Sequence, residues 1–274
     1  MIDLHTHSRV SDGTLSPAEL VALAASRGVK LMALTDHDSI DGLAAAKEAA
    51  AGTALRLVNG VEISVTWEHK ALHVVGLDVD VEHPALTAGL VRLQAIRDER
   101  AREIGRRLEA RGIAGAYAGA EALAVGARLT RTHFARFLHQ AGHVKEEAQA
   151  YKKWLGRGKP GYVSVTWVSL EEAIGWIHAA GGQAVLAHPF RYGITRAWLI
   201  KALTAFKQAG GDGMEVVSGR GNPDEFHTAL HLAGRFQLAA SVGSDFHAPT
   251  PYSQPGIKAE LPANVPAVWE RFRP

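Results

Sequence analysis

The sequence predicts an α/β protein built around a closed or nearly closed barrel, on three observations. Apolar runs of strand length recur at 2–6, 31–35, 55–63, 73–79, 184–187, 213–217 and 239–243. Helical patterns fall between them, at 17–27, 40–51, 170–181, 196–209 and 223–234. Metal-binding residue types sit where the runs end, and the strand ends of an α/β barrel converge on one face, so ligands distant in sequence become neighbours in space.

The first run closes in Asp3-Leu4-His5-Thr6-His7, an extended segment on which His5 and His7 share a side and can grip one ion. Asp12 follows, and Ser16-Pro17 with Glu19 supplies a cap, a proline and a carboxylate to open the first helix. The second run, Leu31-Met32-Ala33-Leu34, ends in Thr35-Asp36-His37-Asp38; the third carries Gly60-Val61-Glu62-Ile63; His73 opens the fourth, Val74-Val75-Gly76. The rhythm then breaks between about 84 and 165. A long Arg/Glu-rich helix, 86–111, leads into Ala/Gly-rich and then basic helical segments without a clear strand. We read 96–164 as an inserted, mainly helical subdomain capping the substrate beside the barrel mouth, the barrel being 1–95 and 165–274. Within it, Arg97-Asp98-Glu99-Arg100-Ala101-Arg102-Glu103 has mixed signs at helical spacing and reads as a solvated face with i,i+4 pairs. Ser169 before Leu170-Glu171-Glu172 restarts the alternation, His188 ends Ala184-Val185-Leu186-Ala187, Asn222-Pro223-Asp224 opens the last helix, and Asp245-Phe246-His247 follows Ser241-Val242-Gly243. Such alternation implies parallel strands joined by right-handed crossovers.

Composition narrows the chemistry. The 274 residues are 47% apolar and 21% charged, enough to bury a full core. Cysteine is absent, which excludes disulfides, thiolate metal sites and a cysteine nucleophile. A metal must therefore be held by imidazole and carboxylate, a set that suits Mn, Fe(II) or Zn. No apolar stretch is long enough to span a bilayer, and the sequence begins at once with a strand, so a cytoplasmic protein without membrane contact or an obligatory protein partner is expected. Net charge is only +2, yet eight Lys or Arg lie between Arg128 and Lys159 against Glu146 and Glu147, which suggests an anion-facing surface.

His5, His7, Asp12, His37, Glu62, His73, His188, Asp245 and His247 together point to a polynuclear metal site, because so many buried charges and imidazoles at one rim are costly without a cation. His69, His83, His139, His143 and His178 read as solvated or capping; His227 and His231 are i,i+4 but lack the zincin glutamate between them.

Asp3-Leu4-His5-Thr6-His7-Ser8, Thr35-Asp36-His37-Asp38, Gly60-Val61-Glu62, Ala187-His188-Pro189 and Ser244-Asp245-Phe246-His247 resemble the four-motif signature of the PHP (polymerase and histidinol phosphatase) superfamily. The resemblance implies a distorted seven-stranded (β/α) barrel with a trinuclear centre. It implies His5, His7, Glu62 and Asp245 around one ion, Glu62, His73 and His188 around a second, and Asp12, His37 and His247 around a third. Two to three divalent ions are expected, with Mn favoured over Fe or Zn.

Leu129-Thr130-Arg131-Thr132-His133-Phe134-Ala135 and Gly158-Lys159-Pro160-Gly161-Tyr162-Val163 resemble the branch holding bacterial 3′,5′-nucleotide bisphosphate phosphatases and a related 5′→3′ exoribonuclease. Arg131 suits bidentate phosphate recognition, Lys159 adds charge, and His133 is a candidate general acid, phosphate donor or extra ligand. The expected reaction is attack of a metal-bridging hydroxide on the 3′-phosphate of a nucleoside 3′,5′-bisphosphate, such as adenosine 3′,5′-bisphosphate. The alternatives are exonucleolysis of short 5′-phosphorylated RNA, histidinol-phosphate hydrolysis, and a non-catalytic metal-binding module.

Overall fold

Strands β1 (Ile2–Asp3), β2 (Leu31–Leu34), β3 (Arg56–Trp67), β4 (Lys70–Leu77), β5 (Gln183–Leu186), β6 (Gly213–Ser218) and β7 (Ala239–Gly243) lie side by side in chain order in the computed structural model, which describes residues 1–220, 222–258 and 260–274. The ends of the sheet meet: Leu4 N donates to Val242 O (2.9 Å), Asp245 N to His5 O (2.9 Å) and His7 N to Phe246 O (2.8 Å). The result is the expected seven-stranded barrel.

One strand departs from the expected parallel order. β4 runs antiparallel to both β3 and β5, pairing Ser64 with His73 and Val74 with Leu186. Its start therefore lies at the same rim as the ends of β3 and β5. This is why His73 precedes its apolar run while most of the other candidates follow theirs. The reversal is made by Glu68 and His69, both in the left-handed region (φ 45° and 61°), between a β3 that extends to Trp67 and a β4 that begins at Lys70.

Side chains alternate across the barrel wall. Leu4, Ala33, Val58, Val75, Leu77, Val185 and Ala239 form one cluster, whereas the intervening Met32, Leu34, Val74 and Leu186 face helices outside. Helices α1 (Pro17–Ser26) and α2 (Leu43–Ala50) cover the first strands. α1 starts at a complete capping box between Ser16 and Glu19, as the sequence predicts. The long helix α3 (Pro84–Glu109) belongs to two cores: Leu86, Leu90 and Leu93 pack with the barrel, while Ala101, Ile104 and Leu108 pack in a separate cluster with Phe134, Leu138 and Leu155. That second cluster is completed by α4 (Ala116–Ala124), α5 (Arg131–Gln140), α6 (Glu147–Ala150) and a π-helical turn (Tyr151–Leu155). Helices α7 (Leu170–Ala179), α8 (Arg196–Gln208) and α9 (Pro223–Phe236) close the barrel's other flank.

The charged run on α3 corrects the solvated-face expectation. Arg97 is 7% exposed and its Nε donates to Asp38 Oδ2 (2.6 Å), with a second bond to Ser64 Oγ (2.8 Å). Its neighbour one turn on, Arg100, is partly covered, with Arg131 of the insert beside it.

Candidate metal centre

Buried carboxylates shape the rim before any ligand is considered. Asp3 accepts from Ser244 N (2.8 Å) and Gly256 N (2.6 Å), tying β1 to the β7 loop; burial pushes its carboxyl up to about 6 despite these bonds. Asp36 accepts from Ser8 N, Ser8 Oγ and Ser11 Oγ (2.8, 2.6 and 2.6 Å), which folds residues 8–12 back over the rim and brings Asp12 to it. Gly243 is needed for close approach: a Cβ there would stand 2.3 Å from His5 Cβ. His188 and Asp245 have positive φ (27° and 53°), an unfavourable backbone region for residues with a Cβ and one that recurs at functional sites.

The nine candidates come together around Glu62. Its Oε1 lies 3.3 Å from His5 Nε2, 2.8 Å from His73 Nδ1 and 3.0 Å from His188 Nε2; its Oε2 lies 3.4 Å from His7 Nε2 and 2.7 Å from His37 Nδ1. On the outer side, Asp12 Oδ1 is 3.2 Å from His247 Nε2, and His7 Nε2 is 3.3 Å from Asp245 Oδ1. Four overlapping groups have ligand atoms within 4.8 Å of one another: His7, Asp12, His37 and His247; His5, His7 and Asp245; His5, Glu62 and His188; His37, Glu62 and His73.

The donor set fits cations on an observation of this structure. Seven buried side-chain atoms of these residues have no hydrogen-bond partner among the described residues: His5 Nε2, both nitrogens of His7, Asp12 Oδ1, His37 Nδ1, Glu62 Oε2 and His188 Nδ1. His37 Nδ1 and Glu62 Oε2 are close but not aligned for hydrogen bonding. Leaving such groups unpaired inside a protein costs several kcal/mol in sum, and a cation removes that cost. Protonation states suit ligation. Burial, then repulsion from His247, pushes His7 down to about 3, so it is neutral at pH 7. Burial opposes ionisation of Asp12, yet His247 and His37 hold it well below the usual carboxylate range.

A cavity of about 320 Å³ is shared by this cluster and the insert, its lining including Asp12, His37 and His73 together with Arg97, Arg100, Arg131, Tyr151, Tyr162 and Trp167. Arg100 Nε is buried without a partner. Burial, then the neighbouring Arg131 and Arg97, pushes its guanidinium down to about 9, so it remains a cation at pH 7 in a setting that favours an anion. Arg97 and Arg100 sit 5.2 and 5.5 Å from the Trp167 ring centre, which holds both against one wall. Thr132 Oγ1 at the start of α5 donates to Asp12 Oδ2 (3.0 Å), linking the insert to the ligand set.

Residues 3–161 match the PHP domain, more than half of the chain. The chain belongs to the PHP domain family. A Haemophilus influenzae relative of this PHP protein, a 5′-3′ exoribonuclease, is 47% identical over 98% of each chain. A Chromobacterium violaceum 3′,5′-nucleoside bisphosphate phosphatase is 48% identical over 99% of this chain and 96% of its own. A Chromobacterium violaceum structure described as an amidohydrolase with bound sulfate and no metal superimposes with a TM-score of 0.93 at 47% identity, covering 98% of this chain and 94% of that one.

Three residues expected from the sequence sit differently around the PHP centre. Lys159 is exposed in the turn after the π-helix and is not among the residues lining the cavity. Arg100, read as solvated, stands beside Arg131 instead. His133 is buried and absent from the cavity wall; its Nδ1 accepts from Thr130 N (3.0 Å) and completes the capping box of α5. Burial pushes it down to about 4, so the folded state binds it neutral while the unfolded chain protonates near 6.5. Its contribution to stability is therefore complete above about pH 6.5 and lost as pH falls toward 4. His133→Gln retains a capping-box residue and removes the titration. Urea unfolding should show the variant close to wild type at pH 7.5 and gaining on it by up to a few kcal/mol at pH 4.5. Parallel pH profiles would remove His133 as the titrating group.

Glu215 was not anticipated. Its Oε1 accepts from His5 Nδ1 (2.5 Å), and its Oε2 from His188 N (2.7 Å) and Ser218 Oγ (2.6 Å). The bond fixes the His5 tautomer and turns Nε2 toward Glu62, a role that carboxylates beside ligand histidines commonly serve. A lone acid inside the apolar run Gly213-Met214-Glu215-Val216-Val217 was the available signal. Among the other histidines, His83 caps α3, His178 pairs with Asp212, and His227 and His231 are exposed on α9.

Proposed function

We propose that this PHP protein is a metal-dependent phosphoesterase that hydrolyses the 3′-phosphate of nucleoside 3′,5′-bisphosphates, leaving the 5′-monophosphate and phosphate. The observation that carries the reading is one cavity lined both by members of the nine-residue cluster (Asp12, His37, His73) and by the cations Arg100 and Arg131. A substrate with two phosphates separated by a ribose satisfies both. Divalent ions held by His5, His7, Asp12, His37, Glu62, His73, His188, Asp245 and His247 supply Lewis acidity toward water and phosphoryl oxygens. We take two to three ions, with Mn preferred over Fe or Zn.

The chain's own groups do the rest. Arg100 and Arg131 hold the 5′-phosphate with charge-assisted bonds, and Arg97, locked by Asp38, keeps the floor of that pocket in place. Tyr151, Tyr162 and Trp167 wall the space between the phosphates and exclude water from the ribose and base. Residues 96–164 serve as the substrate cap, joined to the centre through Thr132 and Asp12. No helix among the described residues is long and apolar enough to cross a membrane.

The 48% identical bisphosphate phosphatase supports the leading reading and the 47% identical exoribonuclease a second one. Both reactions break the same P–O3′ bond. The deciding experiment gives the Mn-loaded protein adenosine 3′,5′-bisphosphate and, separately, a 5′-phosphorylated oligoribonucleotide, and compares kcat/KM. Faster phosphate release from the bisphosphate supports the proposal; faster stepwise mononucleotide release makes the chain an exoribonuclease; inactivity on both refutes the phosphoesterase reading.

A further inference from the structure

The metal cluster is open on a second side. The arginine cavity approaches it past the rim residues of β2 to β4, whereas two adjoining hollows of about 260 and 430 Å³ open over β6 and the loops after β5 to β7. Arg191 and Arg220 line both hollows, which reach the cluster at His188 and Asp245. Arg191 is committed, its guanidinium donating to Asp245 Oδ2 (3.0 Å) and Ser218 O (2.8 Å). Arg220 is exposed, 4.7 Å from the ring centre of Tyr252, itself 70% exposed. Phe190 and Phe226 wall the smaller hollow.

Hydrolysis of a bisphosphate gives this side nothing to bind. The O3′ that leaves phosphorus belongs to the nucleoside in the arginine cavity. In a phosphodiester one non-leaving oxygen of the same phosphorus carries the next nucleoside, which must extend along a different side of the cluster. Aromatic surfaces beside a free cation are what single-stranded RNA uses without sequence preference.

We propose that the cleft holds the ribonucleotide 3′ to the bond being broken, Arg220 facing its phosphate and Phe190 and Phe226 its base, so that a 5′-phosphorylated oligoribonucleotide spans the metal centre. The assignment rests on the phosphoesterase reading for the position of the scissile phosphorus. The P–O3′ bond breaks, the water oxygen bonds to phosphorus, its proton passes to O3′, and the shortened RNA keeps a 5′-phosphate.

The test measures binding without turnover. Mn-loaded protein is titrated with a 5′-phosphorylated tetraribonucleotide carrying a methylene in place of the first bridging O3′, and with adenosine 3′,5′-bisphosphate. Arg220→Ala should weaken the tetranucleotide at least tenfold and make its log K against log[salt] slope shallower by about 0.7, one phosphate contact on a single strand. Bisphosphate affinity should stay within twofold, and Tyr252→Ala should weaken only the tetranucleotide. Unchanged tetranucleotide binding in both variants, or equal loss for both ligands, overturns the cleft. An Arg220-dependent tetranucleotide in a protein that hydrolyses neither substrate keeps the cleft and refutes the phosphoesterase reading.

Discussion

Glu62→Gln should lower kcat by about 10³-fold or more, on the scale of removing a principal transition-state stabiliser, and should leave the purified protein short of at least one metal ion. Both oxygens of Glu62 are engaged, three imidazoles lying within 3.3 Å of Oε1 and two within 3.4 Å of Oε2. Glu62 is the carboxylate common to the His5–His188 group and the His37–His73 group. The amide keeps the volume but has one acceptor oxygen and no charge, so the imidazoles gather around a group that can no longer bridge. Metal content by mass spectrometry, read beside kcat and a thermal melt, separates this outcome from misfolding. Asp12→Ala and His247→Ala should also lose most turnover, with the loss of metal confined to the outer group of His7, Asp12, His37 and His247. A Glu62→Gln protein with full metal content and kcat within threefold of wild type would sink the bridging role.

Most of the candidate ligands that the structure gathers were legible in the sequence because they interrupt or flank an apolar run, and a charge or imidazole beside such a run needs a reason. The barrel was legible on the same ground. The direction of β4 was not, since tight hairpins usually announce themselves with Asn-Gly or Asp-Gly, whereas Glu68-His69 adopts positive φ without either signal. Arg97 and Arg100 were hidden for a different reason. A mixed-charge run at helical spacing looks the same whether water or a second layer covers it, and here the cover is the insert, whose packing depends on contacts distant in sequence. Lys159 shows the reverse case: a basic residue in the insert reads as facing the site, and the structure places it exposed in a turn.

Arg100→Met should separate binding from stability. Wild-type Arg100 is a partly covered cation with an unpartnered Nε beside Arg97 and Arg131, a pairing that raises the energy of the empty pocket and is relieved when a dianion arrives. Methionine keeps much of the aliphatic stem against Trp167 and removes the repulsion. For the protein without nucleotide, the melting temperature should hold or rise, the usual relation where a binding site is kept at the expense of stability. For the substrate, kcat/KM on adenosine 3′,5′-bisphosphate should fall about 100-fold, roughly 2.7 kcal/mol, while adenosine 3′-monophosphate, which has no 5′-phosphate to lose, should change by less than about threefold. The ratio of the two substrates is the decisive quantity, because a general disturbance of the metal centre lowers both. Equal losses would place Arg100 in the support of the cluster, and a destabilised variant with intact discrimination would make its charge structural.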